Sequence, residues 1–165
     1  VEERYHRECF LNRDKGSPID FDIVYKGENG ELDAESRKKL IRDTVMEEAR
    51  VLDGLSNNYT KAWKELLKWR GISQAELSRR TMITEKTIGN IINGETSGTL
   101  NNVVLMCLAA HLPWDMSDYL IQRSGHQFRF SNDDHIWYRC VLMHMNSKEI
   151  PEIQAFLQEH GASPL

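Results

Sequence analysis

The chain has 165 residues, 40% hydrophobic and 28% charged, with a formal net charge of −4. That length holds one substantial core or two small ones, and the composition is that of an ordinary folded protein. The acidic balance argues against a general nucleic-acid binder, and no apolar run approaches the roughly 20 residues that span a bilayer.

The first part, residues 1–57, reads as a hairpin followed by a long helix. Phe21, Ile23 and Tyr25 alternate with Asp20, Asp22, Val24 and Lys26, the period of a half-buried strand. Asn29-Gly30 is a tight-turn signal, and the short return Glu31–Asp33 would complete a small β-hairpin. Asp33 or Ser36 then caps a helix running to about Leu52, with Leu40, Ile41, Val45, Ala49 and Leu52 as its apolar stripe and Gly54 as its stop. The polar run Ser56-Asn57-Asn58 marks a boundary.

The central part, about residues 58–125, opens with a helix over Asn58–Arg70 whose inward face is Trp63, Leu66 and Leu67. Next comes the most informative segment, Gly71–Gly94. Ser73 caps a short helix ending near Thr81, with Glu76 completing a capping box. Met82-Ile83-Thr84 is a break, and Thr84 caps a second short helix, Glu85–Asn93, that Gly94 closes in a left-handed conformation. Ile88, Ile91 and Ile92 bury one face of this second helix, while Glu85, Lys86, Thr87 and Asn90 remain on the other. A strongly apolar fourth helix is expected over Leu100–Leu112, and a fifth from Pro113-Trp114 to Gly125.

The last part, residues 126–165, begins with the extended pattern Gln127-Phe128-Arg129-Phe130. Ser131 or Asn132 caps a sixth helix to about Met145, with Ile136, Cys140, Val141 and His144 sharing a face. A seventh helix starts between Ser147 and Pro151, runs to His160, and buries Ile153, Phe156 and Leu157. The tryptophans Trp63, Trp69, Trp114 and Trp137 read as core anchors.

The Gly71–Gly94 stretch resembles the helix-turn-helix domain of phage repressor and Cro proteins, the XRE-type family. The residues that carry it are Gln74, Leu77, Ile83, Thr84, Ile88, Ile91 and Asn93-Gly94, and the resemblance covers about residues 58–125. Two positions depart from the family's pattern. Met82 stands in the turn where glycine is usual, and the loop Gly94–Thr99 carries one acid and no base. The resemblance implies a mainly α protein: a five-helix repressor-like domain at 58–125, flanked by a small N-terminal hairpin plus long helix (1–57) and a C-terminal helix pair (126–165).

It also implies a bacterial, sequence-specific transcriptional regulator, not an enzyme, that acts on double-stranded DNA as a homodimer. Helix 85–93 would enter the major groove. Lys86 is the candidate for guanine and Asn90 for adenine. Thr87 is assigned to a thymine methyl or a phosphate, and Glu85 to cytosine. Thr84 opens the reading helix, and Gln74 is placed on a phosphate at the start of the supporting helix. Lys61, Arg79 and Arg80 are further backbone candidates. Charge is distributed accordingly: residues 58–98 hold 7 Lys/Arg and 4 Asp/Glu, whereas both flanking parts are acidic.

Alternative functions are a protein-interaction module of the same fold, anti-repressor or antitoxin-like, or the noncatalytic part of a larger metallopeptidase-type regulator. The start at Val1 rather than methionine fits an upstream domain. No cofactor is expected. His6, Cys9, Cys140 and His144 have zinc-compatible spacing if the termini meet, but buried cysteines and partly buried histidines are the simpler reading. Three scattered cysteines and no signal peptide indicate the cytoplasm, and no membrane partner is expected.

Overall fold

The computed structural model describes residues 33–165. The hairpin expected over residues 20–33, apart from Asp33, lies outside the described residues, as do His6 and Cys9. Asp33, one of the two expected caps, does cap the helix that follows, and no strand occurs among the described residues. The described residues fall into two units that part between Leu55 and Ser56.

In the first unit, α1 spans Ala34–Asp53. The Asp33 carboxylate accepts from Ser36 N–H at 2.7 Å. That bond holds the carboxyl below its usual pKa. Leu40, Ile41 and Leu52 are half-buried, but Val45 and Ala49 are exposed, so the expected stripe is only partly covered among the described residues.

The second unit contains α2 (Tyr59–Arg70), α3 (Gln74–Thr81), α4 (Glu85–Ile92), α5 (Leu100–Ala109), α6 (Trp114–Arg123), α7 (Asp133–His144) and α8 (Ile150–Glu159). The five-helix expectation is corrected here: seven helices share one core. Every residue of α5 from Val103 to Ala109 is buried, and a helix apolar all round must be enclosed on all sides. Helices α3 and α6 cover part of it, and α7 and α8 cover the rest. Val141, Leu142, Ile153 and Leu157 are fully buried as a result.

The α7 face differs from the expected one. Tyr138, Val141 and Leu142 point inward, whereas Ile136 and His144 are exposed. Asn132, rather than Ser131, is its cap and accepts from Asp134 and His135 N–H. Helix α5 ends three residues earlier than expected, because His111 takes a φ of 52° and turns the chain toward α6. The His111 ring Nδ1 lies 2.8 Å from Asn146 O, and Asn146 Nδ2 donates to Leu112 O at 3.0 Å. These bonds join the α5–α6 turn to the α7–α8 turn. Burial pushes the His111 pKa down. Of the four tryptophans, Trp63 is fully buried and Trp69, Trp114 and Trp137 are half-buried.

Candidate functional site

Helices α3 and α4 pack against each other across Met82-Ile83-Thr84. The Ser73 hydroxyl accepts from Glu76 N–H at 3.1 Å and opens α3. The reciprocal half of the expected capping box does not form. The Glu76 carboxylate turns away and takes both oxygens to Arg79, at 2.9 and 2.6 Å, and one also to Arg80 at 2.8 Å. Hydrogen bonds from the two guanidinium groups hold the Glu76 carboxyl down at about 2.

Met82 caps α3 with φ 62° and ψ 11°, the left-handed geometry that glycine adopts without strain. Its side chain is 88% exposed, so no burial offsets that backbone cost. Leu77, Ile88, Ile91 and Ile92 lie fully buried beneath the pair. One face of α4 is thereby fixed inward, and Glu85 and Lys86 are fixed outward.

The expected site residues fall into three groups. Thr84, Glu85, Lys86, Thr87 and Asn90 share the outer side of α4, with Thr87 and Asn90 half-buried. The Thr84 hydroxyl accepts from Thr87 N–H at 3.2 Å and shares a 2.9 Å hydrogen bond with the Thr87 hydroxyl. The amides of Glu85 and Lys86 are first-turn donors without intrahelical acceptors. Gln74 joins this group from α3. A Cβ added at Gly89 would stand 3.5 Å from Gln74 Oε1, so the glutamine amide lies over the one position of α4 that has no side chain.

Arg79 and Arg80 form the second group, and Glu76 engages both. Arg80 is half-buried and also donates to Ala109 O at 2.9 Å, which ties α3 to the end of α5. Lys61 is apart from both groups, exposed in the first turn of α2, where its amide donates to the Asn58 cap.

Asn90 has a role that spacing alone did not reveal. With its amide oriented to suit its neighbours, Nδ2 donates to Lys86 O at 3.2 Å and to Glu95 Oε2 at 3.1 Å. Its backbone carbonyl accepts from Glu95 and Thr96 N–H at 2.9 and 3.3 Å. Asn90 therefore anchors the loop after α4. That loop turns through Gly94 (φ +71°) and Gly98 (φ +61°), and Ser97 O lies 3.0 Å from the His126 ring. Two sequence signals pointed toward these contacts. A glycine inside a short helix marks a close approach, and paired glycines around a polar run mark a constrained loop.

Among the described residues, no group of three or more His, Cys, Asp or Glu is placed to hold a metal, and no helix is long and apolar enough to cross a membrane. Cys107 is buried in the core with its thiol pushed up to about 12, a packing group rather than a nucleophile. Residues 64–114 match a family model described as helix-turn-helix. No curated protein and no solved structure matches the chain.

Proposed function

We propose that the protein, whose residues 64–114 match a helix-turn-helix family model, is a sequence-specific DNA-binding transcriptional regulator of the repressor and Cro, XRE type that inserts α4 into the major groove. The observation that carries this reading is the division of α4. Its isoleucines are fully buried against α2 and α3, while Thr84, Glu85 and Lys86 stand outward at its first turn. In the proposed complex Lys86 reaches guanine O6/N7, and Glu85 selects for cytosine while repelling phosphate. The Gln74 amide and the free amides of the first turn of α3 hold a phosphate, which positions α4.

Thr87 lies beside Thr84 at the groove edge. Asn90 reads adenine in this proposal by exchanging its bond to Glu95 for the base. Arg79 and Lys61 contribute to the field over the backbone, and Arg80 acts mainly by holding α3 to α5. One such helix reads too few base pairs for selectivity. The active species is therefore proposed to be a cytoplasmic homodimer with its two α4 helices about one DNA turn, roughly 34 Å, apart.

The test begins with selection of a preferred site from random duplexes by the full chain. Binding of Lys86→Ala, Asn90→Ala and Gln74→Ala is then titrated over variants of that site at fixed salt. Lys86→Ala and Asn90→Ala are each expected to cost about 1–3 kcal/mol on the preferred site and to relax selectivity at one base pair. Gln74→Ala is expected to weaken all duplexes alike. Unchanged affinity and base preference in the first two variants would mean that this surface does not read DNA.

One observation favours a second reading, a protein-interaction module of the same fold. The loop after α4 presents Glu95 and no base, and Glu95 holds Asn90. In that case a dimer or partner complex that buries α4 is the expected assembly.

A further inference from the structure

The segment between α6 and α7 folds back over the start of α6 and encloses an open cleft of about 610 Å³. Trp114, Phe128 and Phe130 form its aromatic walls, and Arg139 from α7 reaches in between them. The guanidinium carbon lies 5.2 Å from the Trp114 ring centre and 5.5 Å from that of Phe130. Trp114 and Phe128 pack with ring centres 6.4 Å apart and planes inclined by 34°. Phe130 is 72% exposed at the rim.

Asp118 is the one carboxylate in the lining, and it accepts from Gln122 Nε2 at 2.7 Å rather than from Arg139. Among the described residues Arg139 has no ion-pair partner, although it is half-buried. A guanidinium remains charged at any pH the protein meets. Set partly out of water against aromatic faces and without a carboxylate, it lacks the anion that its planar donor fork fits. Aromatic walls beside it favour a planar ring on that anion. The volume is that of a small-molecule site.

We propose that this cleft binds a small aromatic carboxylate, its carboxylate on Arg139 and its ring against Trp114 and Phe130. The site is independent of the DNA reading, because none of these residues belongs to α3 or α4. One link connects the two regions: His126, in the cleft wall, holds the loop after α4 through Ser97 O.

The probe is indole-3-carboxylate, titrated into the full chain and followed by amide, indole and Arg Nε–H chemical shifts. The expected result is saturable binding, with shifts centred on Trp114, Phe130 and Arg139. Indole-3-carboxamide, which keeps the ring, and acetate, which keeps the charge, should each bind roughly tenfold or more weakly. Arg139→Gln should cause a similar loss, and Arg139→Lys should recover part of it. Phe130→Ala, at an exposed position that does not threaten folding, should weaken the probe but not acetate. The proposal is overturned by equal binding of acid and amide, by shifts centred on another face, by no saturation at millimolar probe, or by unchanged affinity in folded Arg139→Gln or in Phe130→Ala.

Discussion

At the scale of single residues, backbone sign is the strongest local determinant at the turn. Met82 holds φ 62° with its side chain in solvent, so Met82→Gly should stabilise the protein by about 1 kcal/mol in denaturant unfolding. Gly98 is the opposite case. Its φ is +61°, and an added Cβ would stand 2.7 Å from Ile91 Cδ1, so Gly98→Ala should cost about 1–3 kcal/mol in the same assay. Glu76 gives a pH signature. Its folded carboxyl is held at about 2 against a usual 4.5 by Arg79 and Arg80. A depressed acid contributes stability above its unfolded value and loses it as the pH falls toward the folded one. The expected loss therefore runs from about 4.5 down to about 2 and is absent in Glu76→Gln. A carboxyl-carbon titration of Glu76 with its midpoint near 4.5 would contradict it.

At the scale of elements, α3 and α4 pack directly together, with Gly89 of α4 facing the Gln74 amide of α3. Alanine at position 89 meets Gln74 Oε1 at 3.5 Å, an ordinary contact. Replacing glycine inside a helix relieves about 0.5–1 kcal/mol, so Gly89→Ala should be as stable as the parent or more so. A branched side chain there should push the Gln74 amide aside. Under the proposed function Gly89→Val then weakens all duplexes alike, as Gln74→Ala does, whereas Lys86→Ala acts most on the preferred site. Binding curves over matched and mismatched duplexes separate the two behaviours.

At the scale of the whole molecule, α5 sets the extent of the folding unit. Its apolar surface runs all the way round, and α7 and α8 close the side that the earlier helices leave open. A chain ending at Ser131 loses Val141, Leu142, Ile153 and Leu157, all fully buried. At about 1.5–3 kcal/mol for each buried side chain, the loss is comparable to the whole stability of a small domain. The shortened chain should melt far below the parent or aggregate. A cooperative transition at the parent's temperature would show that the first five helices of the unit stand alone.

Local features were legible in the sequence because their causes lie within a few residues. Asp33, Ser73 and Thr84 accept amides at helix starts, and Gly94 takes positive φ where the chain turns. The buried face of α4 followed from one isoleucine triplet, since its opposite side is polar. The α7 sequence, by contrast, is apolar around most of its circumference, so either Ile136 and Cys140 or Tyr138 and Leu142 satisfies the spacing. Only packing on α5 and α6 chose between them. Charged side chains posed the same problem. Arg79 and Arg80 are adjacent bases in the sequence, yet the end of α5 takes Arg80 and leaves Arg79 in solvent. Asn90 belongs with these, because Glu95 reaches it only after Gly94 has turned the chain. Periodicity and capping act along the chain and are therefore written in it. The partner of a long polar side chain, and the side from which an all-apolar helix is covered, depend on segments distant in sequence and are decided by the tertiary structure.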